Sequence, residues 1–278
     1  MKRLYSLLFI FVFALPLLAQ EKAVEKPPFD IADFQKKVEA AQWLVEYDRV
    51  AWKSSDIVMA QDEKVLARLG TEWFCFKDEK GVWHAVYGKL SESGYEAVLH
   101  FVSDEQGTVT RSDAKLDKAF LNSHARALVT AREKLLSVIP DGSPRFNQYI
   151  RLNSDKTFSV WMLPAFQTDG TAVYGGEGIY TIDATGTKIL KDESYFQLAF
   201  RGFRSTPPRE IWLDYSELEK PTLGAVFFVL YYKPYFTRIF IDNKLSTTTL
   251  LTTDAGYMWT HVVKEPDEDA EDAEEPIT

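Results

Sequence analysis

Apolar and polar positions along this chain follow two different periods, and the changes from one to the other divide it. From Asp30 the apolar residues Phe34, Val38, Ala41 and Val45 recur every three or four positions, the spacing of one helix face. Asp30 or Asp33 is placed to cap the first turn. The run "WLVEYDRVAWKSSDIVMAQDEKVLARLG" continues that period, with a break expected near Ser54-Ser55-Asp56 and an end at Gly70. The period then shortens to two. "EWFCFK", "VWHAVYGKL" and "YEAVLHFV" alternate like strands and are separated by turn-forming stretches at Asp78–Gly81 and Ser91–Gly94. Both alternating faces carry bulky side chains, so this meander should be covered on each side. A helix period returns with Leu116, Phe120, His124, Leu128, Ala131, Leu135 and Ile139, with Asp113 expected as the cap and Pro140-Asp141-Gly142 as the stop.

Beyond Gly142 the pattern is mainly that of strands: "FNQYIRL", "TFSVWML", "TAVYG", "GIYTI", "TKIL", "YFQLAFRGF", and finally "FTRIFID", "STTTLLT" and "YMWTHVV", which read as another meander. "TLGAVFFVLYYK" stays open between strand and helix, because its aromatics suit one and Pro221-Thr222 suits the start of the other. The pattern predicts an α+β fold: an N-terminal helical region, a small antiparallel meander, one long amphipathic helix, then a larger, mostly antiparallel β region. Two sheet regions are expected on either side of the long helix. The divisions are residues 1–20, 21–29 as a linker, 30–142, 143–264, and a tail at 265–278.

The ends change the picture most. "MKRLYSLLFIFVFALPLLAQ" sets Lys2 and Arg3 before an apolar run from Leu7 to Leu15, followed by Pro16 and Ala19. This is the layout of a cleaved secretory signal, and the run falls short of the about 20 residues that span a bilayer. Export to the periplasm or outside the cell is therefore expected, with no transmembrane segment after cleavage. The formal charge of −9 is concentrated in the last fourteen residues, which carry eight acids and no base. The body is close to neutral, and nucleic acid is not an expected partner. The tail should be disordered, since it has too little apolar surface to offset the entropy of ordering.

Catalytic signatures are scarce. Gly175-Gly176-Glu177-Gly178 half-matches a cyclic-dinucleotide synthase hairpin and a glycine-rich phosphate loop. The next residues, "IYTID", alternate like a strand, whereas a phosphate loop must open a helix. Glycines in a strand pattern mark a bulge or a close backbone approach. The single cysteine, Cys75, lies among aromatics and reads as a buried, inert thiol. Of the four histidines, none sits in a helical zinc frame. His84 and His100 fall on neighbouring strands: an odd connection sets them on one face, a four-residue loop at 91–94 on opposite faces. Without an obvious third ligand, no metal and no cofactor is expected. No Gly-x-Ser-x-Gly elbow is present.

Two clusters are the candidate ligand-binding residues. On a helix, Asp48, Trp52 and Asp56 are successive turns of one face and place two acids beside an indole, suited to a sugar or a cation. The same residues also suit ordinary ion pairs and a cap. In "YYKPYF" Pro234 breaks the segment and leaves Tyr232 and Tyr235 in or near a loop. The chain therefore reads as an exported, non-enzymatic module that binds a protein or small-molecule partner in the cell envelope. The alternative is an exported hydrolase of an envelope polymer or glycan, drawing its acids from the first helical region.

Overall fold

The computed structural model describes residues 29–206, 209–254 and 256–264. The expected signal, the acidic tail and all of the linker except Phe29 lie outside the described residues. The fold is mixed α+β, with four helices and three sheets among the described residues.

Helix α1 (Ile31–Met59) begins where the Asp30 carboxylate accepts the Asp33 N–H at 3.0 Å. It runs unbroken through the expected break. Ser54 is buried and returns its hydroxyl to the carbonyls of Val50 (2.7 Å) and Ala51 (3.1 Å), so it satisfies itself without ending the helix. A one-turn helix, α2 (Glu63–Leu66), follows. The first sheet is an antiparallel meander of β1 (Phe74–Lys77), β2 (Trp83–Ser91), β3 (Gly94–Ser103) and β4 (Val109–Arg111), in that order. Helix α3 (Lys118–Leu136) is capped by Asp117, not Asp113: the Asp117 carboxylate accepts the Phe120 N–H at 2.7 Å.

The second sheet holds β5 (Phe146–Leu152), β6 (Phe158–Pro164), β7 (Thr171–Ile182) and β8 (Ile189–Asp192), with β9 (Tyr195–Arg204) pairing the first half of β7. "TAVYG" and "GIYTI" are thus one strand. The third sheet holds β10 (Glu210–Tyr215), β11 (Arg238–Asn243), β12 (Ser246–Thr253) and β13 (Gly256–Val263); its last three strands are the expected final meander, and β10 is the addition. Strands β10 and β11 run parallel, which requires a crossover, and helix α4 (Leu223–Tyr232) supplies it. This settles "TLGAVFFVLYYK" as a helix, capped by Thr222, whose hydroxyl accepts the Ala225 N–H at 3.1 Å.

Two apolar clusters hold these layers together. One joins α3 to Phe74, Val86 and Tyr95 of the first sheet and to Ile150, Phe158, Val160 and Ile182 of the second. The other is built on α1 and α4 and takes residues from all three sheets, including Tyr87, Phe101, Tyr149, Ile211 and Ile241. Both draw on residues from each side of position 142, so the two expected regions share their cores. The first sheet is covered by α3 on one face and α1 on the other. Phe29 is buried and stacks on His261, with ring centroids 3.8 Å apart. No helix among the described residues is long and apolar enough to cross a membrane.

Candidate functional site

The glycine motif is a β7 irregularity. The register on β9 shifts between Tyr174 and Gly176, Gly175 has φ +97°, and a Cβ at Gly176 would lie 2.4 Å from the Phe200 ring. Such backbone is open to glycine and closed to bulkier residues. Glu177 does not face a ligand. It is 3% exposed and accepts the Gly224 N–H at the start of α4, with the Thr222 side chain nearby. Burial nevertheless pushes its carboxyl up to about 7.

The two histidines share a face, for a reason the loop length does not carry. The turn does pair Ser91 with Gly94, but a bulge shifts the register between Tyr87 and Gly88, leaving Val98 as the extra residue. Parity flips across it. His84 then faces Val102, His100 faces Val86, and the two rings meet on the diagonal, with His84 Nδ1 2.8 Å from His100 Nε2. His100 Nδ1 lies 3.3 Å from the Ala114 carbonyl and His84 Nε2 3.5 Å from Asp78 Oδ2. Phe76 stacks on His84 at 4.7 Å. Burial and the neighbouring His84 hold His100 below the usual imidazole range. His84 Nδ1 and both His100 nitrogens thereby meet protein groups, while His84 Nε2 is buried without a hydrogen-bond partner; no cluster of three metal-ligating side chains exists among the described residues.

The candidate site is the groove along α1. Helical spacing brings Asp48, Trp52 and Asp56 to one side of the helix, where α4 and the start of β5 pack. Asp48 is buried, and its Oδ1 accepts the Tyr149 hydroxyl at 2.8 Å and Asn147 Nδ2 at 3.2 Å. The Tyr231 hydroxyl also lies near this carboxyl and helps to hold its titration down. Alternation along β5 directs Asn147 and Tyr149 to the same face, and the last turn of α4 delivers Tyr231. Burial raises the Asp48 carboxyl above the usual range, and Tyr231, Tyr149 and Asn147 oppose that shift. A carboxylate so occupied is an organiser, fixing the Tyr149 ring and the Asn147 amide at the floor of the groove.

Trp52 stands over this floor at 51% exposure. It divides two hollows that also share Asp48 and Tyr231. One, of about 670 Å³, is lined by Asp56, Trp73, Arg145, Phe146, Phe166 and Gln167 among others. The second, of about 770 Å³, lies between α1, α4 and the β12–β13 hairpin, with Val38, Leu230, Tyr235, Leu250, Tyr257 and Trp259 in its walls. Four of the five sequence candidates therefore meet at this groove. The fifth, Tyr232, is 2% exposed and packs on Phe228 and Phe166 in the core. Its neighbour Tyr231 takes the groove-facing place. The phase of α4 decides between the two tyrosines, and that phase depends on the segment being a helix.

The charge of the lining differs from the expected pair of acids beside an indole. Asp48 has its Oδ1 engaged by Tyr149 and Asn147, and Glu46 is paired with Lys77 at 2.6 Å. Arg49, Lys53, Lys233 and Arg145 line the two hollows, and none has a carboxylate partner among the described residues. Lys53 donates to the Gly107 carbonyl, and Lys233 Nζ lies 3.7 Å from the Tyr257 ring centroid. No family model, no curated protein and no solved structure matches the chain.

Proposed function

We propose that this protein is an exported, non-enzymatic binding module of the cell envelope, whose ligand lies in the aromatic groove along α1. The observation that carries the reading is Trp52. It is a large aromatic left half open to solvent on a helix whose other large side chains are mostly packed, and it stands between two hollows of small-molecule size. The rings around it rest on a buried hydrogen-bonded network, so the groove is formed in advance of any ligand, which lowers the ordering cost of binding. Export rests on the N-terminal pattern of Lys2, Arg3 and the apolar run after them. The hydrogen bonds from Tyr149 and Asn147 to buried Asp48 count against the hydrolase alternative, because they leave Asp56 as the exposed carboxylate of the candidate cluster.

The test is to incubate the purified protein with solubilised envelope extract and identify retained small molecules by mass spectrometry. The wild type should retain a compound in unaltered form, and Trp52→Ala combined with Tyr235→Ala should lose it. Recovery of a cleaved compound would favour the hydrolase. Retention unaffected by the two substitutions would remove the ligand from this groove.

A further inference from the structure

The larger hollow distinguishes between ligand chemistries more sharply than the smaller one. Its floor is apolar, with Val38 from α1, Leu230 from α4, and Leu250 and Trp259 from β12 and β13. Its rim is cationic even though the chain as a whole carries −9. Arg49 is exposed and has no carboxylate partner among the described residues, and Lys233 lies against the Tyr257 face. The acids that could accept hydrogen bonds from a sugar are engaged, Glu46 by Lys77 and Asp48 by Tyr149 and Asn147. A cationic ligand would meet like charge at the rim, and Lys233 already occupies the face of Tyr257. What remains complementary is a ligand with an apolar body and an acceptor-rich, negatively charged end. A hollow of about 770 Å³ is of the size that holds one such molecule.

Resting on the binding-module reading, we propose that this hollow takes a single-chain amphipathic anion, with its acyl or aryl body over Val38, Leu230, Leu250 and Trp259 and its carboxylate between Arg49 and Lys233. The ligand is a free acid taken from solution, not a headgroup held in a bilayer. The apolar body supplies most of the affinity. The two rim cations supply the choice of charge, about three- to tenfold in affinity at moderate salt, as partly exposed ion pairs do.

The experiment titrates the purified protein with dansyl-undecanoate and with its methyl ester, read by dansyl emission and tryptophan quenching. The expected result is saturable one-site binding of the acid, weaker binding of the ester, and loss of that difference in Arg49→Gln combined with Lys233→Gln. Arg49→Glu, at an exposed position, should weaken the acid and strengthen a dodecyltrimethylammonium probe, and circular dichroism should show both variants folded. Equal affinities for acid and ester, both lost in Leu250→Asp, would overturn the anion assignment and leave the groove as a ligand site. Binding indifferent to Leu250→Asp and to Trp52→Ala would overturn both the assignment and the groove reading. Co-sedimentation with phosphatidylglycerol vesicles, without binding of the free acid, would overturn the proposal in favour of a membrane surface.

Discussion

Replacing Glu177 by Gln should make the protein more stable at alkaline pH and change its stability much less near pH 5. Glu177 is 3% exposed, and desolvation lifts its carboxyl from the ordinary 4.5 to about 7 against the opposing pull of Thr222, Gly224 and the more distant Lys37. The direction of the effect follows from proton counting. Below pH 4.5 the group is protonated in both folded and unfolded chains and contributes no difference. Between 4.5 and 7 the unfolded chain has released its proton while the folded chain retains it, so stability falls as pH rises through that window. Above 7 the cost is constant, and at about 1.4 kcal/mol per pH unit it amounts to roughly 3 kcal/mol. The Gln side chain can still accept the Gly224 N–H through its carbonyl and present its amide to the Thr222 oxygen, so the cap of α4 is kept without a buried charge. Urea unfolding followed by tryptophan emission from pH 5 to 9 gives both curves. The variant should gain up to about 3 kcal/mol on the wild type between pH 5 and 8. Parallel curves across that range, or a variant less stable at pH 8, would refute the reasoning.

Four further outcomes are expected. His124 is 1% exposed, and burial holds its imidazole at about 4, with its Nδ1 2.7 Å from the Phe120 carbonyl. Its contribution is therefore complete above pH 6.5 and lost as pH falls towards 4, and a ring titration by NMR with a midpoint near 6.5 would contradict this. Tyr149→Phe removes the 2.8 Å donor to buried Asp48 and should cost about 1–3 kcal/mol, whereas Trp52→Ala at a half-exposed site should cost far less; equal losses in denaturant melts would be inconsistent with the burial. Gly88→Val places a Cβ 2.0 Å from the Glu96 carbonyl oxygen and should lower the melting temperature by many degrees, with an unchanged Tm telling against the bulge. Cys75 is fully buried and its thiol is pushed well above its ordinary range, so a thiol-reactive dye should label it only at the rate of unfolding.

The helices α1 and α3 and most strands are legible in the sequence because each buries one periodic face. What escapes it depends on two-body geometry. Ser54-Ser55-Asp56 looks like a break, but a serine that bonds back to its own helix does not end it. The cap of α3 moves from Asp113 to Asp117 because local composition offers both and packing selects one. The addition of β10 to the third sheet needs its parallel pairing with β11 across α4, a long-range contact without a periodic signature. At the site, the spacing of Asp48, Trp52 and Asp56 on one helix face is readable. The occupation of Asp48 by Tyr149 and Asn147 is not, since those partners lie about a hundred residues away. The expected pair of acids thus becomes one organiser and one open carboxylate, and the free charge of the groove changes sign.

The stacking of Phe29 on His261 has a consequence for how the molecule is made. It joins the first described residue to a strand completed only at Val263, and Phe34 extends the seam with an edge-on contact to Trp259 at 5.1 Å. A chain synthesised from its N-terminus therefore produces α1 first and the strand that seals its leading end last. Until β13 arrives, that end of the helix shows an open apolar flank, and a truncation that removes β13 leaves the flank open for good. The same seam sets the two ends of the described fold side by side. A short peptide joining them would close the backbone into a ring, and new ends cut at the exposed Asp78–Gly81 turn would give a permuted chain in which the helix and its last strand are synthesised consecutively.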